Sequence, residues 1–128
     1  MSVDRILNKD IHTLLWECKE IIILMPLWQE EQIDQEMLNN CNKRLKVVQN
    51  LVESLKKTPR IGKKMYWIIY CTYLSDLDLS QDGVDAILME IARQYKPIPR
   101  TTYFRLKDKA IAELERKIDF LIRYKRDI

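Results

Sequence analysis

The stretch YKPIPRTTYFRLKDKAI, residues 95–111, decides how this chain is expected to fold. Pro97 and Pro99 end any preceding helix, because the residue before a proline is pushed out of the α region. Basic, aromatic and apolar residues then recur at helical spacing. The stretch therefore predicts one helix that ends near Gln94, a proline turn, and a second helix from about Arg100 to Arg123.

At 100° per residue, this last helix has one apolar face and one polar face. The apolar, core-facing stripe contains Tyr103, Leu106, Ala110, Leu114, Ile118 and Leu121. The opposite face contains Thr101, Arg105, Asp108, Lys109 and Arg116, with Thr102 at its edge and Lys107 to the side. Tyr103 is thus interpreted as structural.

The rest of the chain predicts further helices and no strand. The predicted ranges are residues 3–25, ended by Pro26, then 31–57, 63–74, and a helix that runs from an N-cap at Ser80 to about Gln94. The first apolar stripe contains Val3, Ile6, Leu7, Ile11, Leu14, Leu15, Cys18, Ile21 and Ile22, and the second contains Ile33, Met37, Cys41, Leu45, Val48, Val52 and Leu55. We expect an all-α fold with an N-terminal pair of long helices followed by a three-helix helix-turn-helix domain.

The segment KKTPRIGKK, residues 56–64, is the best candidate for a domain boundary, since five basic residues surround Pro59 and Gly62. It is open whether this segment is a plain hinge or a second phosphate contact. The predicted domains are residues 1–57, a helical hairpin for oligomerisation or partner contact, and residues 58–128, a DNA-binding domain. The two long apolar stripes fit either a homodimer or a contact with RNA polymerase.

The positive charge is concentrated at the C-terminal end. The chain has a net charge of +3, but residues 96–128 carry ten Lys/Arg against five Asp/Glu, a balance of +5. A basic quarter on a near-neutral body is typical of a protein that binds nucleic acid or another anionic surface, although a solvated helix face would look the same.

Several other function classes lack a signal. The single histidine, His12, is interpreted as a core or boundary residue, and no CxxC pair or glycine-rich phosphate loop exists, so we expect neither an enzyme nor a cofactor. Three widely spaced cysteines indicate buried, reduced thiols in a cytoplasmic protein. The run IIILM, residues 21–25, is too short to span a bilayer.

A helix-turn-helix order has a direct physical consequence for the last helix. Its N-terminus carries unsatisfied N–H groups and partial positive charge, which favours a nearby phosphate. Arg105 and Lys109, at i and i+4, could reach phosphates or guanine edges in the major groove. Asp108 could accept from a cytosine amino group, but a local pair with a neighbouring cation is the favoured interpretation.

The strings YWIIYCTYLSD and VDAILMEIARQYKPIPRTTYFRLKDKAIAELERKI resemble the C-terminal half of the ArpU-like phage transcriptional regulators, which are similar to region 4 of sigma factors. The likeness covers about residues 63–122 and includes Thr72, Tyr73, Leu74, Thr102, Tyr103, Phe104, Arg105, Leu106, Lys107, Lys109 and Ala110. It implies binding of specific double-stranded DNA and control of late packaging and lysis genes in a bacterial host. It also implies DNA contacts by Thr102, Arg105, Lys107 and Lys109.

The chain departs from this family at Pro99, where such proteins often have a serine cap. The departure allows the helix to begin one or two residues later, with Thr101 as the cap. It leaves open which of Arg100, Thr101 and Thr102 faces the groove. Two other functions also stay open, namely a packaging adaptor similar to a small terminase subunit and a protein-interaction module that binds no DNA.

Overall fold

The structure, a computed structural model, describes residues 9–30, 34–77 and 83–124, and within these ranges it is helical with no strand. The elements are α1 (Ile11–Glu30), α2 (Gln35–Glu53), a 3₁₀ helix (Ser54–Lys57), α3 (Gly62–Tyr73), α4 (Gly83–Gln94) and α5 (Arg100–Tyr124). The predicted all-α class is confirmed. Ser80, the predicted N-cap of α4, lies outside the described residues.

The first helix, predicted over residues 3–25, is not continuous over this range, because residues 9 and 10 are not helical, and it ends later than predicted. Asp10 caps α1, since its side chain accepts from the Thr13 N–H at 3.2 Å and its carbonyl accepts from the Leu14 N–H at 3.0 Å. Residues 3–8 lie outside the described part of the chain. At the other end, Pro26 lies inside α1, which continues to Glu30. Proline removes one helical hydrogen bond and adds a clash one turn earlier, which a helix can accommodate by bending.

Near its start, the second helix buries a different residue from the one that the sequence predicted. Asp34 caps α2 by accepting from the Glu36 N–H at 3.0 Å. At this end Leu38 is buried and Met37 is exposed, so the prediction that Met37 faces the core is wrong. The buried stripe then continues with Val47, Val48, Leu51 and Val52. The final turn tightens into the 3₁₀ helix.

A single cluster of buried side chains joins all five α-helices in the described ranges. Its members from α1, α2 and the 3₁₀ helix include Leu14, Leu15, Val48 and Leu55, and those from α3, α4 and α5 include Ile68, Ile69, Ile91, Leu106 and Leu114. Residues on both sides of the predicted boundary at 57/58 therefore share a core. The division of function between residues 1–57 and 58–128 stays a prediction.

Helix α1 is attached to the end of α3 by polar and aromatic contacts. Lys19 is buried, and its ammonium donates to the Ser75 carbonyl at 2.9 Å. Trp16 meets Tyr73 edge to face, with ring centroids 5.6 Å apart. These contacts bring the N-terminal hairpin close to the beginning of α5, because Tyr73 also lies near Lys107 of that helix.

The turn between the 3₁₀ helix and α3 is held by its own backbone. The Thr58 N–H donates to the Leu55 carbonyl at 3.0 Å, and the Gly62 N–H donates to the Thr58 carbonyl at 3.1 Å. Arg60 has a positive φ of 70°, the left-handed region that non-glycine residues rarely adopt. At Gly62 a Cβ would lie 2.4 Å from the Leu55 carbonyl oxygen, so only glycine permits this approach.

Candidate nucleic-acid interface

Pro99 fixes where α5 begins. The Tyr103 N–H donates to the Pro99 carbonyl at 3.0 Å, which places Pro99 at the N-cap and Arg100 in the first helical position. The alternative in which Thr101 caps the helix is therefore wrong. A proline can occupy this position because the backbone carbonyl alone is needed as an acceptor, although no side-chain cap is possible. Residues 96–99, which connect α4 to α5, are not helical.

Tyr103 attaches the start of α5 to the end of α3. Its side chain is buried, and its hydroxyl lies 3.0 Å from the hydroxyl of Thr72. Since the Thr72 hydroxyl donates to the Ile68 carbonyl at 2.6 Å, Tyr103 must be the donor of the pair. Burial raises the pKa of Tyr103, which keeps the donated proton in place. The inward position predicted for Tyr103 is confirmed, whereas its partner Thr72 was not predicted.

The predicted faces of α5 are found as expected. The predicted core residues Tyr103, Leu106, Ala110, Leu114 and Ile118 are buried, and Leu121 is half-buried. Of the predicted DNA contacts, four are exposed, namely Arg100, Thr101, Arg105 and Lys109, and two are half-buried, namely Thr102 and Lys107. The side chains of Arg105 and Lys109 form no ion pair with any described residue, so their charges are available to a ligand.

Arg100 is engaged with the preceding helix. Its guanidinium lies 3.1 Å from the carboxylate of Asp85, in the first turn of α4, and 6.0 Å from the ring centroid of Phe104. Both charged side chains are exposed, and such a pair contributes only about 0–1 kcal/mol. Arg100 can therefore exchange Asp85 for a phosphate at little cost.

Lys107 lies at the junction of α3 and α5. Its ammonium is 5.8 Å from the ring centroid of Tyr103 and 6.0 Å from that of Tyr73. These aromatic faces attract the cation and restrict where its stem can lie. Lys107 is thus placed to the side of the exposed face, as the sequence predicted.

The available positive charge on the exposed face of α5 is limited to the first turns of the helix, because the cation further along this face is paired. Arg116, which was predicted on the same face, forms an ion pair with Glu113, and the hydrogen bond from Arg116 lowers the pKa of Glu113. Asp108 is exposed and makes no ion pair with a described residue, contrary to the local pair that was expected. In the sequence, Asp108 lies between the two available cations, Arg105 and Lys109.

The remaining reactive side chains do not form a second site. Cys18 and Cys71 are buried free thiols, and burial raises the pKa of each to about 12, so neither is a nucleophile near neutral pH. Cys41 is half-buried rather than buried as predicted. His12 is exposed, so its assignment to the core or its boundary is wrong. Over the described ranges, no three His, Cys, Asp or Glu side chains lie close enough to hold a metal ion.

Two further findings concern membrane-spanning helices and similarity to known proteins. No helix in the described ranges has both the length and the apolar character needed to cross a bilayer. Comparisons of the chain with protein-family models, curated proteins and solved structures find no match. The resemblance to the ArpU-like regulators therefore stays a prediction.

Proposed function

We propose that this chain is a DNA-binding transcriptional regulator of phage or prophage late genes, which acts in the cytoplasm of a bacterial host without an enzymatic activity or a cofactor. The observation that carries the proposal is the pair Arg105 and Lys109. Both are exposed and unpaired among the described residues, one turn apart near the start of a helix. That helix is fixed to the core by the bond from Tyr103 to Thr72.

In this proposal the start of α5 enters the major groove of double-stranded DNA. Thr101, Arg105 and Lys109 face the base edges, where an arginine can bind a guanine through two hydrogen bonds. Thr102 and Lys107 lie at the side of this face and contact phosphates, which sets the register without reading sequence. Arg100 binds a phosphate in place of Asp85.

The hairpin of α1 and α2 is assigned to self-association, with RNA polymerase as the alternative partner. At its far end, apolar side chains are exposed on both helices, namely Ile23, Leu24, Leu27 and Met37. Residues 21–28 of α1 are all apolar, and a helical segment that is apolar on all sides normally has neighbours on all sides. A homodimer would also present two copies of α5 to two half-sites. A solution mass equal to that of the monomer at micromolar concentration would contradict self-association.

Two alanine variants test the assignment of the groove. Arg105→Ala should weaken binding to genomic fragments selected by the wild-type protein by about 1–3 kcal/mol, with a smaller effect on random duplex. Lys107→Ala should cause a smaller loss, about equal on both DNAs, because a phosphate contact carries no sequence information. Titrations at low and moderate salt measure both. Equal effects of the two variants on both DNAs would show that the groove assignment is wrong, and no DNA binding by the wild type at low salt would overturn the proposed function.

A packaging adaptor similar to a small terminase subunit is the second candidate. The exposed apolar end of the hairpin also suits assembly of a larger closed ring. The oligomeric state separates the two functions, since a monomer or dimer favours a regulator and a large ring favours packaging.

A further inference from the structure

The turn that precedes α3 carries a dense positive charge, most of which forms no ion pair within the part of the chain that the structure describes. We call residues 56–64, KKTPRIGKK, the basic turn. One of its five cations, Lys56, is paired with Glu53 at 2.8 Å. The other four, which form no ion pair with a described residue, are Lys57, Arg60, Lys63 and Lys64. Three of these are exposed and Lys64 is half-buried.

The charges of the basic turn repel one another and also oppose the adjacent helix. Lys63 and Lys64 lie in the first turn of α3, which contains no acidic residue. The positive end of a helix dipole disfavours cations at this position. The arrangement is thus unfavourable in the isolated chain and becomes favourable when anions bind the side chains.

Hydrogen bonds hold the backbone of the basic turn, so the turn is a fixed element and not a hinge. The Ile61 N–H donates to the Pro59 carbonyl at 2.8 Å, and the Gly62 N–H donates to the Thr58 carbonyl at 3.1 Å. The contact of Gly62 with the Leu55 carbonyl leaves no room for a shift of the 3₁₀ helix toward α3. Leu55 itself is completely buried. The four cations are therefore held on a rigid support.

The same rigid helix carries the basic turn at one end and the contact with α5 at the other. Gly62 and Thr72 are ten positions apart in α3, which corresponds to about 15 Å along the helix axis. This span is comparable to the width of the major groove, about 12 Å. The cations of the basic turn and those at the start of α5, which is joined to Thr72, can therefore contact one duplex from the two ends of α3.

We propose that the basic turn binds the phosphate backbone of the same DNA duplex, as a sequence-independent contact separate from α5. This inference rests on the proposed function, and it assigns to Lys57, Arg60, Lys63 and Lys64 the role of positioning the protein on DNA. The exposed positions in the turn are charged side chains and Pro59, which suits phosphates better than the interior of a lipid surface.

The test uses the double variant Lys57→Gln/Lys63→Gln and a matched control, Lys43→Gln/Lys46→Gln, which removes the same charge from exposed positions on α2. Binding to a random-sequence duplex and to selected genomic fragments is titrated against salt. Each lost phosphate contact should reduce the slope of log K against log salt by about 0.9, so we expect a reduction of about 2 on both DNAs and an unchanged ratio between them. The control should keep the wild-type slope, and circular dichroism should show equal helicity in all three proteins.

The outcomes separate this proposal from the function on which it rests. If the double variant keeps the wild-type slope while Arg105→Ala loses affinity, the basic turn does not contact DNA and the proposed function stands. An equal loss in the control variant would show that only net charge matters, which also overturns the inference. Binding of the wild type to vesicles that contain anionic lipid, lost in the double variant, together with no affinity for DNA, would assign the turn to a membrane surface and would overturn both proposals.

Discussion

The two halves of α1 both contain several apolar residues, but their surroundings differ. From Ile11 to Ile21 the helix buries five apolar side chains, and it packs on α2, α3 and α5. From residue 22 onward it buries none, although residues 21–28 are all apolar. In this far half Ile23, Leu24 and Leu27 are exposed, and Met37 of α2 is exposed beside the same end of the hairpin. We call these regions the packed half and the open half of α1.

The difference between the halves shows what decides burial in this protein. Apolar sequence supplies the tendency to leave water, but a neighbouring element must be present to receive the side chain. The helix has three others as neighbours, and the packed half buries its apolar side chains, whereas those of the open half are exposed or half-buried. An exposed apolar patch of this kind is a common sign of an interaction surface, which supports the assignment of the hairpin to self-association.

The largest expected effect is in the packed half. Leu14 is 0 % exposed, and Leu14→Ala should lower the free energy of unfolding by about 2–5 kcal/mol, because it removes buried methyl groups and leaves a cavity. Urea denaturation followed by circular dichroism measures the change. A loss below about 1 kcal/mol would mean that the packed half is not packed as described.

The stability of the protein is expected to be nearly as sensitive to a substitution at the junction between the 3₁₀ helix and α3. Gly62→Ala places a methyl group 2.4 Å from the Leu55 carbonyl oxygen, so the 3₁₀ helix must move away from α3. We expect a loss of about 1–3 kcal/mol, as is usual when a tightly packed site is overfilled. The same urea experiment applies, and Gly83→Ala at the first residue of α4 is the matched glycine control. Equal effects at the two glycines would contradict a special role for the close approach.

The packed half also predicts a pH dependence through Cys18. Burial raises the pKa of this thiol from 9.0 to about 12. Above pH 9 the unfolded chain loses this proton while the folded chain keeps it, so the free energy of unfolding should fall as the pH rises from 9 toward 12. The contribution of one such group is at most about 1.4 kcal/mol per pH unit.

Other groups whose pKa is raised by burial act in the same direction, namely Cys71, Tyr66, Tyr73 and Tyr103, so the contribution of Cys18 is isolated by comparing the wild type with a variant that lacks this thiol. Urea denaturation of the wild type and of Cys18→Ala at pH 8, 9 and 10 should show a shallower decline in the variant. Parallel declines would mean that Cys18 is accessible to water.

The bond between α3 and α5 should contribute less than the apolar core. Tyr103→Phe removes one donor, while the Thr72 hydroxyl keeps its bond to the Ile68 carbonyl. We expect a loss of about 0.5–1.5 kcal/mol. Thr72→Val should cost more, because it leaves the buried Tyr103 hydroxyl without an acceptor. The opposite order, measured by urea denaturation, would show that the tyrosine hydroxyl has another partner.

The smallest expected effect on stability is in the open half. Leu27 is 54 % exposed, and Leu27→Ala should change the free energy of unfolding of the monomer by less than about 0.5 kcal/mol. The same variant should weaken self-association, measured by light scattering over a range of concentrations. A large loss of monomer stability would remove the distinction between the two halves, and an unchanged association would place the dimer contact elsewhere.

Local periodicity was enough to predict much of this fold. The core stripe of α5 and its exposed face were predicted correctly, because a helix of 25 residues repeats the same pattern over many turns. The bounds of α1 were not, since apolar spacing continues through Asp10 and Pro26 without marking where hydrogen bonding begins and ends. The choice of Leu38 over Met37 as the buried residue also depends on which elements lie beside this end of α2, which no local pattern contains.

For the candidate site, the sequence determined which residue types appear and on which side of a helix they lie. Arg105 and Lys109 face away from the core because the apolar stripe of α5 faces toward it. Only the tertiary structure decided which charges stay available, since the pairing of Arg100 with Asp85 joins residues of two different helices. The reason is physical: helical periodicity is a property of neighbouring residues, whereas burial and charge compensation depend on which distant elements come together in space.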